Sequence, residues 1–146
     1  MAGKAALGMV VSFGTATGTT TAATLANVTN ISGLGGDVEE IDVTSHDSSG
    51  AYREFVASFL DAGEVTFDVN FDPNQTTHRA TTGGILYLRD NRMVVPWKLT
   101  FPGSPTHSVA FQGFVKGAPL DLPFDDKQSA TVTVRVTGSA TWSYGT

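Results

Sequence analysis

The sequence predicts one mainly β domain: a β-sandwich or partial barrel with one flanking α-helix and a long loop between two strands. Several segments alternate apolar and polar residues with a period of two, the pattern of half-buried strands. Only 16% of the residues are charged and 16 are glycines, which favours strands and turns over helices. A chain of 146 residues is long enough for one core, so we expect a single domain over residues 1–146.

The first elements are short. An apolar run at residues 9–13 predicts the first strand, inside an N-terminal arm that we place at residues 1–24. The Thr/Ala/Gly stretch that follows is low in information. Spaced apolar residues between 25 and 31 indicate a second strand, and the glycines of residues 33–36 indicate the turn that ends it.

Two alternating segments, residues 39–44 and 64–72, flank a loop at residues 45–63 that is too long for a hairpin turn. Within this loop the apolar residues follow the i, i+3, i+4, i+7, i+8 spacing of one helical face. The spacing predicts a short helix in the loop. Its apolar stripe consists of Tyr52, Phe55, Val56, Phe59 and Leu60.

The flanking helix is expected over residues 73–91. Asp72 suits the N-cap, Pro73 suits the first helical position, and Gln75 has the spacing of a capping box. Gly83 and Gly84 each cost about 1 kcal/mol relative to alanine in a helix. We therefore expect tertiary packing to hold this helix.

The remainder of the chain is predicted as strands at residues 95–101, 109–115 and 132–136, with a short last strand around Trp142 and Tyr144. Residues 117–127 are expected to form a loop. The apolar residues of that loop are expected to tuck under the core: Leu120, Leu122 and Phe124.

The composition excludes several functions. A net charge of −5 lacks the clustered Lys and Arg that grip nucleic acid. There are no cysteines, and His46, His78 and His107 have no metal-ligand spacing. No nucleophile elbow or phosphate loop is present, so we predict no catalytic residue, cofactor or metal site. Without a signal peptide or a membrane segment, the chain is expected to be soluble and made in the cytoplasm.

The acidic residues beside the long loop have two interpretations. If the strands before and after the loop pair, Glu40 and Asp42 lie on the same side as Glu64 and Asp68. Like charges across a strand ladder are destabilising, so such a face needs a reason. It is either an ordinary solvated face or the wall of an acidic channel that repels phosphates.

The apolar stripe of the loop also has two interpretations. It either caps the core of its own subunit or forms an interface with a neighbour. In an interface, each large side chain would contribute roughly 1.5 to 3 kcal/mol on burial. Several such side chains in each copy would be enough to hold a polymer together.

The run IDVTSHDSSGAYREFVASFLDAGEVTFDVNFDP, residues 41–73, resembles the major tail (tail tube) proteins of long-tailed, non-contractile bacteriophages. In that family an "ID(V/T)T" strand, a Ser/Gly loop, a Tyr-Arg-Glu-Phe turn, "DAGEV" and "DP" follow in this order. The resemblance implies a structural virion protein that self-assembles into stacked hexameric rings. These rings form the tail tube, the conduit for genome delivery.

The same resemblance implies the partners of the protein, its location and its functional residues. The implied partners are further copies of the chain, other tail proteins such as the tape measure, tail tip and terminator, and viral DNA that passes through without specific binding. The implied location is the virion tail, after synthesis in the bacterial host cytoplasm. The implied inter-subunit loop contains Asp47, Ser48, Ser49, Gly50, Tyr52, Arg53, Glu54, Phe55, Val56 and Phe59. The implied lumen-facing acids are Glu40, Asp42, Glu64 and Asp68.

Rival functions remain open from the sequence. A β-sandwich binding module for carbohydrate or a host surface would use Trp97, Trp142 and Tyr144 as an aromatic platform, unless these residues pack in the core. A hydrolase using surface carboxylates would show a bell-shaped pH dependence. The tube protein of a contractile secretion system would share the ring architecture.

Overall fold

The computed structural model describes residues 8–15, 21, 23–47 and 49–145. The described part is mainly β, as predicted. Its helix α1 is Ile85–Asp90, and its strands are β1 Val10–Phe13, β2 Ala23–Thr24, β3 Val28–Gly33, β4 Asp37–Asp42, β5 Phe55–Asp61, β6 Glu64–Asn70, β7 Val94–Thr100, β8 Ser108–Gly117, β9 Leu120–Asp121 and β10 Ser129–Ser143.

The main sheet has the order β2-β1-β7-β8-β10-β6-β3, with β9 paired to β10, and all its pairings are antiparallel. Strands β4 and β5 form a separate two-stranded sheet. The long strand β10 replaces the two shorter strands predicted for this segment. Its first half pairs with β6 and its second half with β8.

The main sheet folds over at β10 into two layers. The rings of Phe67 on β6 and Trp97 on β7 are 5.7 Å apart, although β8 and β10 separate their strands in the sheet. In a flat sheet three strand spacings would place them about 14 Å apart. Register shifts in β10, at Thr133/Val134 and Thr137/Thr141, lie where the strand passes between layers. The result is an open sandwich, not a closed barrel.

We call the layer made of β1, β2, β7, β8 and the second half of β10 layer I. Layer II contains β3, β6, β9 and the first half of β10. Trp97 lies between them, with its ring 5.2 Å from that of Phe13 and its Nε1 donating to the Gly113 carbonyl at 3.2 Å. The alternating residues of β6 and β7 are buried on one face, which confirms the period-two prediction.

The flanking helix is shorter than predicted. Of residues 73–91, only Ile85–Asp90 is α-helical, and Thr76–His78 forms one 3₁₀ turn. Asp72 caps a turn instead of a helix, because its Oδ1 accepts from the Asn74 N–H at 3.0 Å. Gly84 lies so close to the Arg79 backbone that any side chain would clash, so the chain bends there before the helix begins.

Two further predictions are wrong. The helix expected at residues 52–60 is strand β5, which pairs with β4. The apolar residues of β5 lie on both faces of the strand, and their spacing also matches one face of a helix. The hydrogen bonds to β4 decide in favour of the strand. The apolar residues of the segment 117–127 do not tuck under the core but are exposed: Leu120, Leu122 and Phe124.

Candidate assembly surfaces

The β4–β5 hairpin, residues 37–61, forms an arm that belongs to neither layer of the sandwich. Its two strands pair through registers such as Val38 with Leu60 and Ile41 with Val56. No described residue of the arm belongs to the buried core. An isolated two-stranded hairpin is marginally stable at best in water, so contacts outside its own strand pair would stabilise this element.

The arm is unusually apolar for an exposed element. Tyr52 is 77% exposed, Phe59 82% and Leu60 67%. Exposed apolar clusters of this kind mark interaction sites on soluble proteins. Of the fifteen large hydrophobic residues that are exposed in the described part of the chain, eight lie on the arm: Val38, Ile41, Val43, Tyr52, Phe55, Val56, Phe59 and Leu60.

The arm is also the acidic part of the chain. Residues 37–61 contain seven carboxylates and one arginine, a net charge of −6. The whole chain carries −5, so the remaining residues together carry +1. The arm therefore presents an acidic and apolar surface, whereas the rest of the chain is nearly neutral in net charge.

The root of the arm is fixed to the sandwich by Asp61. Its carboxylate accepts a hydrogen bond from the Gly63 N–H at 2.9 Å and pairs with Arg135 of β10 at 2.6 Å. The Gly63 N–H and then the Arg135 guanidinium lower the pKa of Asp61 from its usual 3.8. Gly36 packs against the opposite strand here, where a Cβ would lie 2.9 Å from the Asp61 carbonyl oxygen.

Near its tip the arm is held by hydrogen bonds around Thr44. The Glu54 N–H donates to the Thr44 hydroxyl at 2.8 Å, and the Thr44 N–H donates to Asp42 at 2.9 Å. Hydrogen bonds from the Thr44 side chain and backbone lower the pKa of Asp42. The two strands therefore stay paired up to the connecting turn.

Most residues of the predicted inter-subunit loop lie on this arm and are exposed. Ser48 lies outside the described residues, and Ser49 begins a short 3₁₀ turn that ends at Ala51. Gly50 in that turn has a φ of 66°, which favours glycine. The exposed members of the prediction are Asp47, Gly50, Tyr52, Arg53, Glu54, Phe55, Val56 and Phe59. Sequence reasoning missed Val38 on β4 as their apolar neighbour.

The predicted ladder of four acids does not form. Glu40 and Asp42 lie on β4, which pairs with β5 and not with β6. Glu64 and Asp68 lie on β6 in layer II, where Glu64 pairs with Lys116 at 2.7 Å. The Asp68 carboxylate accepts from the Thr131 hydroxyl at 3.2 Å. The carboxylates of β6 thus have polar partners, and the assumed pairing between the acidic strands is wrong.

The aromatic platform expected for a carbohydrate-binding module is incomplete. Trp97 is fully buried between the layers. Trp142 and Tyr144 are exposed and stack at 6.4 Å, and Phe101 stacks on Trp142 at 5.9 Å. The sequence suggested Trp97 and Trp142 as members of one aromatic platform. In the structure only Trp142 lies on the surface.

The histidines and carboxylates show no metal-binding geometry. Within the described residues, no group of three or more metal-ligating side chains is close enough to hold an ion. His78 is fully buried and bonded to two backbone groups. No helix in the same described part is long and apolar enough to cross a bilayer.

The fold resembles proteins of tubular assemblies. A chain of the gene transfer agent virion has a TM-score of 0.68 at 15% identity, covering 97% of this chain and 99% of that one. A chain from the tail of an empty gene transfer agent particle, determined with C6 symmetry, has a TM-score of 0.69 at 17% identity, covering 92% and 95%.

A chain from the sheath/tube terminator structure of a PVC extracellular contractile injection system has a TM-score of 0.69 at 10% identity and covers 98% of both chains. At these identities the likeness shows the fold alone. A search of curated protein sequences gives no match. A family profile described as phage tail tube, TTP, lambda-like matches residues 5–101, which is more than half of the chain. The protein therefore belongs to the lambda-like phage tail tube family.

Proposed function

We propose that the arm, residues 37–61, is the element through which neighbouring copies of this tail tube protein bind one another. The protein is a structural component of the virion tail, and members of the tail tube family self-assemble into the tube. The observation that carries the proposal is the eight exposed hydrophobic side chains on a hairpin outside the core. An assembled tube would cover them.

The energetics support an interface. Tyr52, Phe59 and Leu60 are each at least two-thirds exposed in the single chain. Burying such a side chain contributes roughly 1.5 to 3 kcal/mol. Repeated in every copy around a ring, this is a substantial driving force even after the loss of rotational and translational freedom.

The ring is proposed to be hexameric. The gene transfer agent tail, whose tube chain shares this fold, has C6 symmetry. A contact between two different surfaces of identical subunits closes into a ring when the rotation allows it. Stacked rings would then form the tube, with the tape measure, tail tip and terminator proteins as partners at its interior and ends.

Glu64 and Asp68 are proposed to face the lumen. They lie on the side of β6 opposite the core, together with Thr66 and Asn70. This face is polar, and the ion pair of Glu64 with Lys116 reduces its net negative charge. Such a wall offers viral DNA no cluster of cations to bind, so DNA would pass without specific contacts. Glu40 and Asp42 belong to the arm and are assigned to assembly.

The family is one of structural tube proteins, and we infer that this member has no catalytic activity. A conduit requires a defined shape and an inert wall, and a single type of subunit supplies both. The three lines of support are the family, the exposed arm and the polar face of layer II.

The deciding experiment introduces a charge into the arm. Phe59→Asp is expected to abolish tube assembly and leave the thermal unfolding of the monomer unchanged, because Phe59 is exposed. Assembly is measured by sedimentation and negative-stain electron microscopy, with wild-type tubes as seeds. Thr82→Asp, which adds the same charge at an exposed site outside the arm, is the control. Tubes formed by Phe59→Asp at wild-type concentrations would refute the proposal.

A further inference from the structure

The outer face of layer I is free of acidic residues. Strands β1, β2, β7, β8 and β10 contain no Asp or Glu, whereas β4, β5, β6 and β9 all do. The burial alternation of β1, β7 and β8 turns one set of side chains to the core and the other set outward. The outward set is Val10, Ser12, Val94, Pro96, Lys98, Thr100, Ala110, Gln112, Phe114 and Lys116, and Lys116 is paired with Glu64 of layer II.

This face combines cations with apolar side chains. Lys98 lies at its centre, next to Ser12 of β1 and Ala110 of β8. Among the described residues Lys98 has no ion pair. Arg135 borders the face beside Phe114. Arg135 is already paired with Asp61, so Lys98 is the cation that this face offers to an acidic partner.

Part of the face is open to solvent, and its edge at Phe114 adjoins Leu60 and Asp61 at the root of the arm. Val10 and Val94 are 39% and 37% exposed, and Ala110 and Gln112 are exposed as well. The opposite side of the same strands is fully buried in the core. A sheet face that carries accessible apolar residues and the unpaired Lys98 is suited to receive a partner.

We propose that the arm of one copy docks on the outer face of layer I of a second copy. This inference rests on the proposed role of the arm and adds the surface that receives it. The match is in charge and in apolarity: the arm carries −6, and the receiving strands carry no acid. The Asp61–Arg135 pair, at 2.6 Å, already joins the arm root to the border of this face within one copy.

The occupant is the arm of another copy, not the chain's own arm. Tyr52 and Phe59 are 77% and 82% exposed in the single chain, so its own arm does not rest on its own sandwich. The arm and the layer I face are different surfaces of one molecule. A contact between them is head-to-tail, which generates a ring or a stack of many copies, not an isolated pair.

The first test reverses the charge at the centre of the face. Lys98→Glu is expected to raise the critical concentration for tube assembly at least tenfold, because it places a carboxylate against the acidic arm. Lys127→Glu makes the same change at an exposed lysine outside layer I and is expected to assemble like the wild type. If Lys98→Glu assembles as well as Lys127→Glu, the inference is overturned.

The second test locates the arm directly. The chain has no cysteine, so an Ala57→Cys variant carries a single thiol, which is labelled with benzophenone maleimide and mixed as a minor component into wild-type tubes. After illumination, mass spectrometry is expected to find the label attached to wild-type peptides that contain β1, β7 or β8. Attachment only to other peptides would overturn the inference.

The outcomes separate this inference from the proposed function. If Phe59→Asp prevents assembly but Lys98→Glu does not, the arm forms an interface, but it binds a surface other than the outer face of layer I. If Phe59→Asp assembles normally, the assembly role of the arm itself is refuted, and with it the docking proposed here.

Discussion

At the scale of single residues, His78 shows how a polar side chain contributes to the core. It is fully buried, its Nδ1 accepts from the Asp72 N–H at 3.1 Å, and its Nε2 lies 2.8 Å from the Ala26 carbonyl oxygen. Because Nδ1 is an acceptor, Nε2 carries the proton and donates. His78 therefore joins the 3₁₀ turn to the chain before β3.

His78→Ala is expected to lower the free energy of unfolding by about 2 to 4 kcal/mol, because it opens a cavity and leaves two backbone groups unpaired. Urea unfolding followed by tryptophan fluorescence measures the change. His46→Ala, at an exposed site on the arm, should stay within about 0.5 kcal/mol of the wild type. Equal losses in the two variants would contradict this role of His78.

At the scale of elements, the fold depends on close backbone contacts between β8 and β10, near the point where β10 passes between the layers. Gly113 of β8 lies so near β10 that a Cβ would approach the Arg135 carbonyl oxygen at 2.7 Å and the Val134 Cγ1 at 2.9 Å. Trp97 also donates to the Gly113 carbonyl. A side chain at this point would push the two strands apart.

We expect Gly113→Ala to destabilise the monomer by about 1 to 3 kcal/mol through this overlap. Gly117→Ala is the matched control in the same strand, since a Cβ there meets nothing within 4 Å. Chemical denaturation of both variants measures the difference. If the two substitutions have the same effect, close approach at Gly113 does not limit the packing of the layers.

The stabilising contribution of Asp61 at the root of the arm should depend on pH in the acid range. The pKa of Asp61 is lowered from 3.8 in the folded chain, so its stabilising contribution is fully present above pH 3.8. That contribution is lost as the pH falls through the lowered value. The Gly63 amide resonance, followed by NMR, should titrate with a midpoint below 3.8. Asp61→Asn should remove the titration, and a midpoint above 3.8 in the wild type would contradict the assignment.

At the scale of the whole molecule, the arm lies outside the core of the sandwich. None of the buried core residues lies in residues 37–61, and a Cβ on Gly36 would lie 3.4 Å from the Ala62 Cα. The ends of the arm therefore meet where they leave the sandwich. One part of the chain supplies the core, and the other is an acidic, apolar extension that we propose serves assembly.

Deleting residues 37–61 and joining Gly36 to Ala62 is expected to leave a folded monomer that forms no tubes. The core keeps all its members, so the melting temperature should change by only a few degrees, and amide resonances of β7 and β8 should keep their positions. Circular dichroism, NMR and electron microscopy measure these properties. Loss of cooperative unfolding in the deletion variant would show that the arm supports the sandwich.

Sequence alone was sufficient for the fold class, for the strands with one buried face, and for the family resemblance that the lambda-like tail tube match supports. A period of two is local, because each strand residue turns to the opposite side from the next. The residues of β6 and β7 show this period without reference to any partner. The apolar residues of the arm were also visible, although their helical spacing suggested the wrong secondary structure.

Only the tertiary structure decided how these segments combine. Whether β4 pairs with β5 or with β6 depends on which strand meets its backbone groups, and the acidic ladder of Glu40, Asp42, Glu64 and Asp68 failed for that reason. The helix predicted at residues 73–91 is shorter in the structure because His78 turns into the core and Gly84 packs on Arg79. Strand β10 joins the layers because it pairs with β6 and with β8, so that Arg135 lies opposite both Glu64 and Phe114. These contacts join residues far apart in the chain, so no local pattern encodes them.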